Sequence, residues 1–278
     1  MADSTLAADL KRRVPSAVAL GLLALAATWY GGFPFLLFWA IAGTGIWFEW
    51  ATLMQVSPRT TVLGAGALAV VTVAVLLSVK LPALAVAAAL AGVLIIGLLV
   101  RAANMEQRTW AGAGIVYGAL AFLPIVLLRE DAKFGLYAAI WIYAVVWLTD
   151  IAAYFVGKAF GGAKLVPNIS PGKTWSGAIG GLVFGALGGM VVALYATATF
   201  SVMHIVIAAL VSAFSQAGDV FESYVKRSRG QKDSSSIIPG HGGLMDRLDA
   251  FIAASLLALL IGIAHGGVSE PARGLLQW

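Results

Sequence analysis

Between Ser215 and Asp249 the chain gathers five of its thirteen acidic residues and five of its eighteen basic ones, in a sequence that is otherwise 60% hydrophobic. Asp219, Glu222 and Lys226 fall at i, i+3 and i+7, a spacing that brings side chains to one face of a helix. Asp246 and Asp249 repeat the i, i+3 step. Lys226, Arg227, Arg229, Lys232 and His241 lie between the two acidic sets, the last of them within Pro239-Gly240-His241-Gly242-Gly243. Carboxylates without cysteine suit a hard cation such as Mg²⁺, which takes one or two carboxylates and completes its shell with substrate phosphates. The basic residues suit phosphate, and the glycines let backbone approach a ligand closely. The chemistry expected is metal-assisted handling of a polyphosphate, with Asp219, Asp246 and Asp249 as the hard-cation carboxylates. Plainer readings stand beside it. Glu222 and Lys226, at i, i+4, can form an internal ion pair, and Gly-His-Gly-Gly can be a simple turn.

A second polar stretch runs from Asp150 to Thr174. It contains Gly172-Lys173-Thr174, the end of a phosphate-binding P-loop, but Pro167 stands where that motif needs its first glycine. What survives is a phosphate-friendly element: Ser170, Lys173 and Thr174 at the start of an apolar helix, where free N–H groups favour anions. Asp150 reads equally as a buried hydrogen-bonded carboxylate or as a nucleotide contact. Glu49, between Phe48 and Trp50, is an acid in an apolar setting that can snorkel to the membrane interface. His204 and His265 fall far from the charged blocks and are expected to be unconnected to them.

The elements that must carry these residues are membrane helices. Only 11% of the chain is charged, against about a quarter in soluble domains, and the apolar runs are continuous rather than alternating. The sequence predicts an all-α polytopic membrane protein with nine spans: 14–31, 33–54, 60–79, 81–100, 109–128, 135–157, 174–198, 201–225 and 244–265. The first is read as a retained helix in preference to a signal peptide. Five spans form an N-terminal region (1–130). Four form a catalytic region (131–278) with two polar loops, 158–173 and 226–243. With the N-terminus cytoplasmic, fourteen of the eighteen basic residues fall on the cytoplasmic side, the bias that orients membrane proteins. Both polar loops then face the cytoplasm. Leaving out those loops and Arg247, the bias falls to six against four, with Lys11, Arg12 and Arg13 carrying most of it. The glycines at 177, 180, 181, 185, 188 and 189 form a small-residue stripe, read chiefly as intramolecular packing and secondarily as a dimer interface.

Ser223-x-Val225-Lys226-Arg227-x4-Lys232-Asp233-x-Ser235-x2-Ile238-Pro239-x-His241-Gly242-Gly243-Leu244-x-Asp246-Arg247-Leu248-Asp249 is similar to the signature of the phosphatidate cytidylyltransferase family, also called CDP-diacylglycerol synthases. Ser170-Pro171-x-Lys173-Thr174-Trp175 and Gln216-x-Gly218-Asp219-x2-Glu222-Ser223 also resemble that family. The likeness covers about Asp150–Asp249; the first five spans share hydropathy and Glu49-Trp50. Ser176 departs from it, standing where many relatives carry glutamate, so the role of that carboxylate has no counterpart here.

The resemblance implies synthesis of CDP-diacylglycerol and pyrophosphate from CTP and phosphatidate, in phospholipid biosynthesis. It implies Mg²⁺, a second cation such as K⁺, and a homodimer in the bacterial inner membrane. Asp219 and Asp246 would hold the metal centre with Asp249 and Glu222 close by. Lys173, Thr174, Lys226, Arg227 and Lys232 would contact phosphates. The rival readings are a CTP-dependent transferase or kinase acting on an ether lipid or polyprenol, and an ion-coupled transporter. The transporter predicts acids near the bilayer midplane, whereas these acids cluster toward one end of their spans.

Overall fold

The computed structural model of the chain describes residues 18–101, 104–235, 237 and 242–278. His241, Pro239, Gly240 and the basic triplet Lys11-Arg12-Arg13 lie outside the described residues. The protein is an all-α polytopic membrane protein. Among the described residues eight helical stretches, Met105–Arg129 counted as one, are long and apolar enough to cross a membrane.

Helix α1 is described over Val18–Tyr30; residues 14–17 of the expected first span lie outside the described residues. The others follow the apolar runs closely: α2 (Gly32–Leu53), α3 (Arg59–Ser78), α4 (Pro82–Leu99), α5 (Met105–Leu120), α6 (Leu123–Arg129), α7 (Gly135–Phe160), α8 (Trp175–Thr197), α9 (Val202–Ser228), α10 (Met245–Gly266) and the short α11 (Pro271–Leu276). The span expected at 109–128 starts earlier, where Asn104 caps α5 by accepting from Gln107 N at 2.9 Å. It is also interrupted between Leu120 and Leu123. Pro124 accounts for the break, since it lacks an N–H and its ring crowds the preceding turn.

The region expected as a polar loop at 158–173 contains regular structure. Lys158 still belongs to α7, and β1 (Lys164–Val166) pairs antiparallel with β2 (Ser170–Thr174), Lys164 opposite Thr174 and Val166 opposite Ser170. Gly161 (φ 59°) and Gly162 (φ 97°) turn the chain out of α7 into this hairpin, a conformation residues with a Cβ rarely adopt.

The chain divides into two compact units: residues 1–123 with 229–247, and residues 124–228 with 248–278. In the first, Trp47 and Trp50 of α2 are fully buried, and their indole N–H groups donate to the carbonyls of Leu63 and Trp110 at 3.1 and 2.8 Å. Residues 229–247, in the sequence part of the expected catalytic region, belong with these N-terminal helices. In the second unit, α8 lies against α7 along its glycine stripe. A Cβ at Gly177 would come within 2.7 Å of the Ala153 carbonyl, and one at Gly181 within 2.8 Å of the Thr149 carbonyl. A Cβ at Gly185 would overlap the Thr149 hydroxyl. The stripe is thus used for packing inside the chain. Thr149 and Ser212, facing Gly185, share a 2.7 Å hydrogen bond that joins α7 to α9.

His204 and His265 are set apart from the charged residues, as expected. His204 Nε2 bonds the Leu276 carbonyl at 3.0 Å, and His265 Nδ1 the Gly274 carbonyl at 2.9 Å. The His265 ring also stacks on Trp278, with centroids 3.8 Å apart. Both histidines hold the C-terminal segment down.

Candidate functional site

Two groups of acidic side chains with their partners stand out, one in each unit. In the second unit, α9 carries Asp219, Glu222 and Lys226 on one face, as their spacing predicts. Glu222 and Lys226 form the i, i+4 ion pair at 2.7 Å, with Glu222 1% exposed. Asp219, which that pair leaves over, meets Lys173 of β2 at 2.6 Å. No sequence pattern indicated this partnership, because the residues lie forty-six positions apart and meet only once β2 folds back toward α9.

The hairpin is anchored at both ends. Thr174 caps α8: its hydroxyl accepts from Gly177 N at 3.1 Å and contacts Ser176 Oγ at the same distance. Ser176 in turn donates to the Gly161 carbonyl. The residue that departs from the resembling family therefore stitches the hairpin's entrance to its exit. Thr174 is buried, and its hydroxyl is engaged as the α8 cap. Arg227, exposed in the last turn of α9, donates from Nε to the Ile169 carbonyl at the hairpin's tip, at 3.4 Å. Ser170 is half-buried at the start of β2.

Asp249 of α10 faces the same group. Gly218 permits this: a Cβ there would come within 2.5 Å of Ala253 Cβ and 2.8 Å of the Asp249 carbonyl, so the two helices touch at backbone distance. The Asp249 carboxylate is 9% exposed and accepts from Ala250 N at 2.8 Å. Asp219, Asp150 and Lys173 all lie within its electrostatic reach. The second unit thus brings together Asp150, Lys173, Asp219 and Asp249 from four elements.

In the first unit the centre is Glu49. The sequence allowed it to snorkel outward; instead it is 1% exposed. Its Oε1 accepts from the Ser235 hydroxyl (2.6 Å) and Leu244 N (2.8 Å), and its Oε2 from the Ser234 hydroxyl (3.1 Å) and Met245 N (2.7 Å). A buried carboxylate is tolerable when donors surround it in this way. Asp246 faces the same turn, accepting from Gly243 N (2.7 Å), Ser234 N (3.0 Å) and the Ser234 hydroxyl (3.0 Å). Gly242 has φ 79°, and a Cβ at Gly243 would sit 2.5–2.6 Å from the Glu49 carboxylate. The two glycines allow close approach of the backbone to Glu49 and Asp246.

Lys232 and Arg247 are exposed in this unit. His241 lies outside the described residues. Ser234 escaped the sequence reading; its only signal was its place in the serine run 234–236. Of the three carboxylates expected to hold a cation, Asp219 and Asp249 belong to the second unit and Asp246 to the first. Among the described residues no three His, Cys, Asp or Glu side chains gather closely enough to hold a metal ion.

A family model described as the cytidylyltransferase family matches residues 11–263. The chain is 42% identical over 265 residues to the phosphatidate cytidylyltransferase of Brucella suis, covering 95% of this chain and 97% of that protein. It is 36% identical over 271 residues to the phosphatidate cytidylyltransferase of Pseudomonas aeruginosa, covering 93% and 99%. The enzyme of that name from Bacillus subtilis matches at 38% over 138 residues, about half of each chain.

Proposed function

Because the chain belongs to the cytidylyltransferase family, we propose that it makes CDP-diacylglycerol and pyrophosphate from CTP and phosphatidate, for phospholipid biosynthesis. The observation that supports this most is the meeting of Lys173 with Asp219, beside Asp249. A cationic hairpin and a pair of carboxylates sit together, as joining two polyanions requires.

In the reaction a phosphatidate phosphate oxygen attacks the α-phosphorus of CTP. A new P–O–P linkage forms, the bond from the α-phosphorus to the bridging oxygen breaks, and pyrophosphate leaves with that electron pair. The nucleophile is already ionised near neutral pH, so no strong general base is needed. The residues act by position and charge. Lys173, Lys226, Arg227 and Lys232 are assigned to phosphate oxygens, and Ser170 to the same ligand by its place at the start of β2. Asp150 is assigned to the nucleotide. Glu222 keeps Lys226 oriented through their ion pair.

The donor set fits a hard cation, since its oxygens come without thiolates and one or two carboxylates suffice when substrate phosphates complete the shell. Asp219 and Asp249 are the pair that would hold Mg²⁺, and Asp246 is a further candidate put to the test below. When bound, the ion supplies charge neutralisation at the transferring phosphoryl group. A second, monovalent cation such as K⁺ belongs to the same proposal.

The site is assigned to the cytoplasmic face of the bacterial inner membrane, supported by the excess of basic residues on that side. A soluble donor and a lipid acceptor require a site open both to water and to the bilayer. The protein is proposed to work as a homodimer whose contact uses a surface other than the α8 glycine stripe, which is taken up within the chain.

Purified protein incubated with labelled CTP, phosphatidate and Mg²⁺ is expected to move label into the lipid phase. Absence of transfer under every Mg²⁺ and K⁺ condition would sink the proposal.

A further inference from the structure

We infer that Glu49 is a positioning residue for the reaction, fixing Asp246 and the first turn of α10; the inference rests on the cytidylyltransferase reading above. Glu49 stands on α2, 185 residues before Ser234 in sequence, yet it binds both sides of the segment that leads into α10. Ser234 and Ser235 meet it from one side, Leu244 and Met245 from the other. Each carboxylate oxygen takes one hydroxyl and one backbone N–H.

The N–H groups at the start of a helix form an anion site. Here Leu244 N and Met245 N are given to Glu49 and Gly243 N to Asp246. That terminus is already filled by the protein's own carboxylates, so it acts as an anchor and leaves phosphate binding to the lysines and arginines. Ser234 connects the two acids: its hydroxyl lies 3.1 Å from Glu49 Oε2 and 3.0 Å from Asp246 Oδ2. A hydroxyl has one proton to donate, so its orientation depends on both acids, and moving Glu49 disturbs Asp246. Gly243 completes the fit, since a side chain there would collide with Glu49.

A carboxylate is required at position 49 because each of its oxygens faces a backbone N–H, of Leu244 or of Met245, that can only donate. Glutamine offers one oxygen and one NH₂. In either orientation its NH₂ faces a backbone N–H, of Leu244 or of Met245, that cannot turn away.

The test uses full-length protein in detergent and compares wild type with Glu49→Gln, Ser235→Ala and the double variant. Glu49→Gln is expected to lower kcat by about 10–100-fold, the scale seen when a supporting contact to a catalytic group is lost, with the KM values for CTP and phosphatidate little changed. Trypsin cleavage after Lys232 in the folded protein is expected to become about tenfold faster, as loss of a charge-assisted hydrogen bond predicts. The double variant is expected to be no worse than Glu49→Gln alone, because both changes break one network.

Wild-type kcat and cleavage in Glu49→Gln would overturn the inference, as would losses that multiply in the double variant. A rise in KM as large as the fall in kcat would put Glu49 on substrate and also overturn it. If Glu49→Gln does not fold, Ser234→Ala and Ser235→Ala carry the test alone. Faster cleavage and lower kcat in both support the inference, and wild-type behaviour in both overturns it. An inactive wild-type protein would defeat the cytidylyltransferase reading, while the cleavage rates would still report on Glu49.

Discussion

Lys173 Nζ lies 2.6 Å from Asp219 Oδ2, joining the β1–β2 hairpin to helix α9. The sequence assigned the two residues separate tasks, phosphate for one and a cation for the other. Their contact makes the tasks interdependent, because a lysine held by a carboxylate is also held in place for an incoming phosphate. Lys173→Ala is therefore expected to raise the KM for CTP by about tenfold or more, the loss of one charge-assisted contact. Initial rates against CTP concentration measure it, and an unchanged CTP dependence would leave the hairpin purely structural.

Asp219→Asn and Asp249→Asn test the cation assignment. Each is expected to shift the Mg²⁺ dependence of turnover to higher concentration, because each removes a charge from the pair placed together by Gly218. Excess chelator should stop turnover, and Mg²⁺ should restore it. A variant whose Mg²⁺ titration matches wild type would remove that carboxylate from the metal.

Asp246→Asn is expected to abolish turnover while the protein still elutes as a folded species in detergent. Asparagine can keep its one acceptor oxygen where Oδ2 now receives Gly243 N and Ser234 N, so the turn is retained while the charge is lost. Retained activity would exclude Asp246 from metal binding.

Gly243→Ala should destabilise the protein by about 1–3 kcal/mol, the cost of forcing atoms into a filled space. Its Cβ would meet Ser234 and the Glu49 carboxylate. Gly64→Ala, in α3 with nothing within 4 Å of the added carbon, should be neutral or stabilising by up to about 1 kcal/mol from helix propensity. Thermal melting in detergent compares them; equal melting temperatures would contradict the crowding at Gly243.

Much of this molecule was legible from its residues alone. The long apolar runs fixed the helices to within a few positions, because a chain in lipid must satisfy its backbone hydrogen bonds internally. The i, i+3, i+7 spacing correctly put Asp219, Glu222 and Lys226 on one face, since helix periodicity is a local property. Thr174 as a helix start and the glycine stripe as packing were equally local readings. The break before Pro124 was missed, although its cause is also local. So was the hairpin at 164–174, because five residues of Ser-Pro-Gly-Lys-Thr carry no strand signal.

Which acid serves which neighbour was decided only in three dimensions. By sequence, Glu49 is a carboxylate beside a tryptophan, and nothing nearby says that residues 185–196 positions later will surround it with donors. Lys173 and Asp219 likewise find each other across an intervening helix. Sequence determined the helices, the membrane and the chemical class, because hydropathy, periodicity and residue type need no partner to be read. The tertiary structure decided the pairings. A buried charge is held by whatever donors the fold brings to it, and those donors come from elsewhere in the chain.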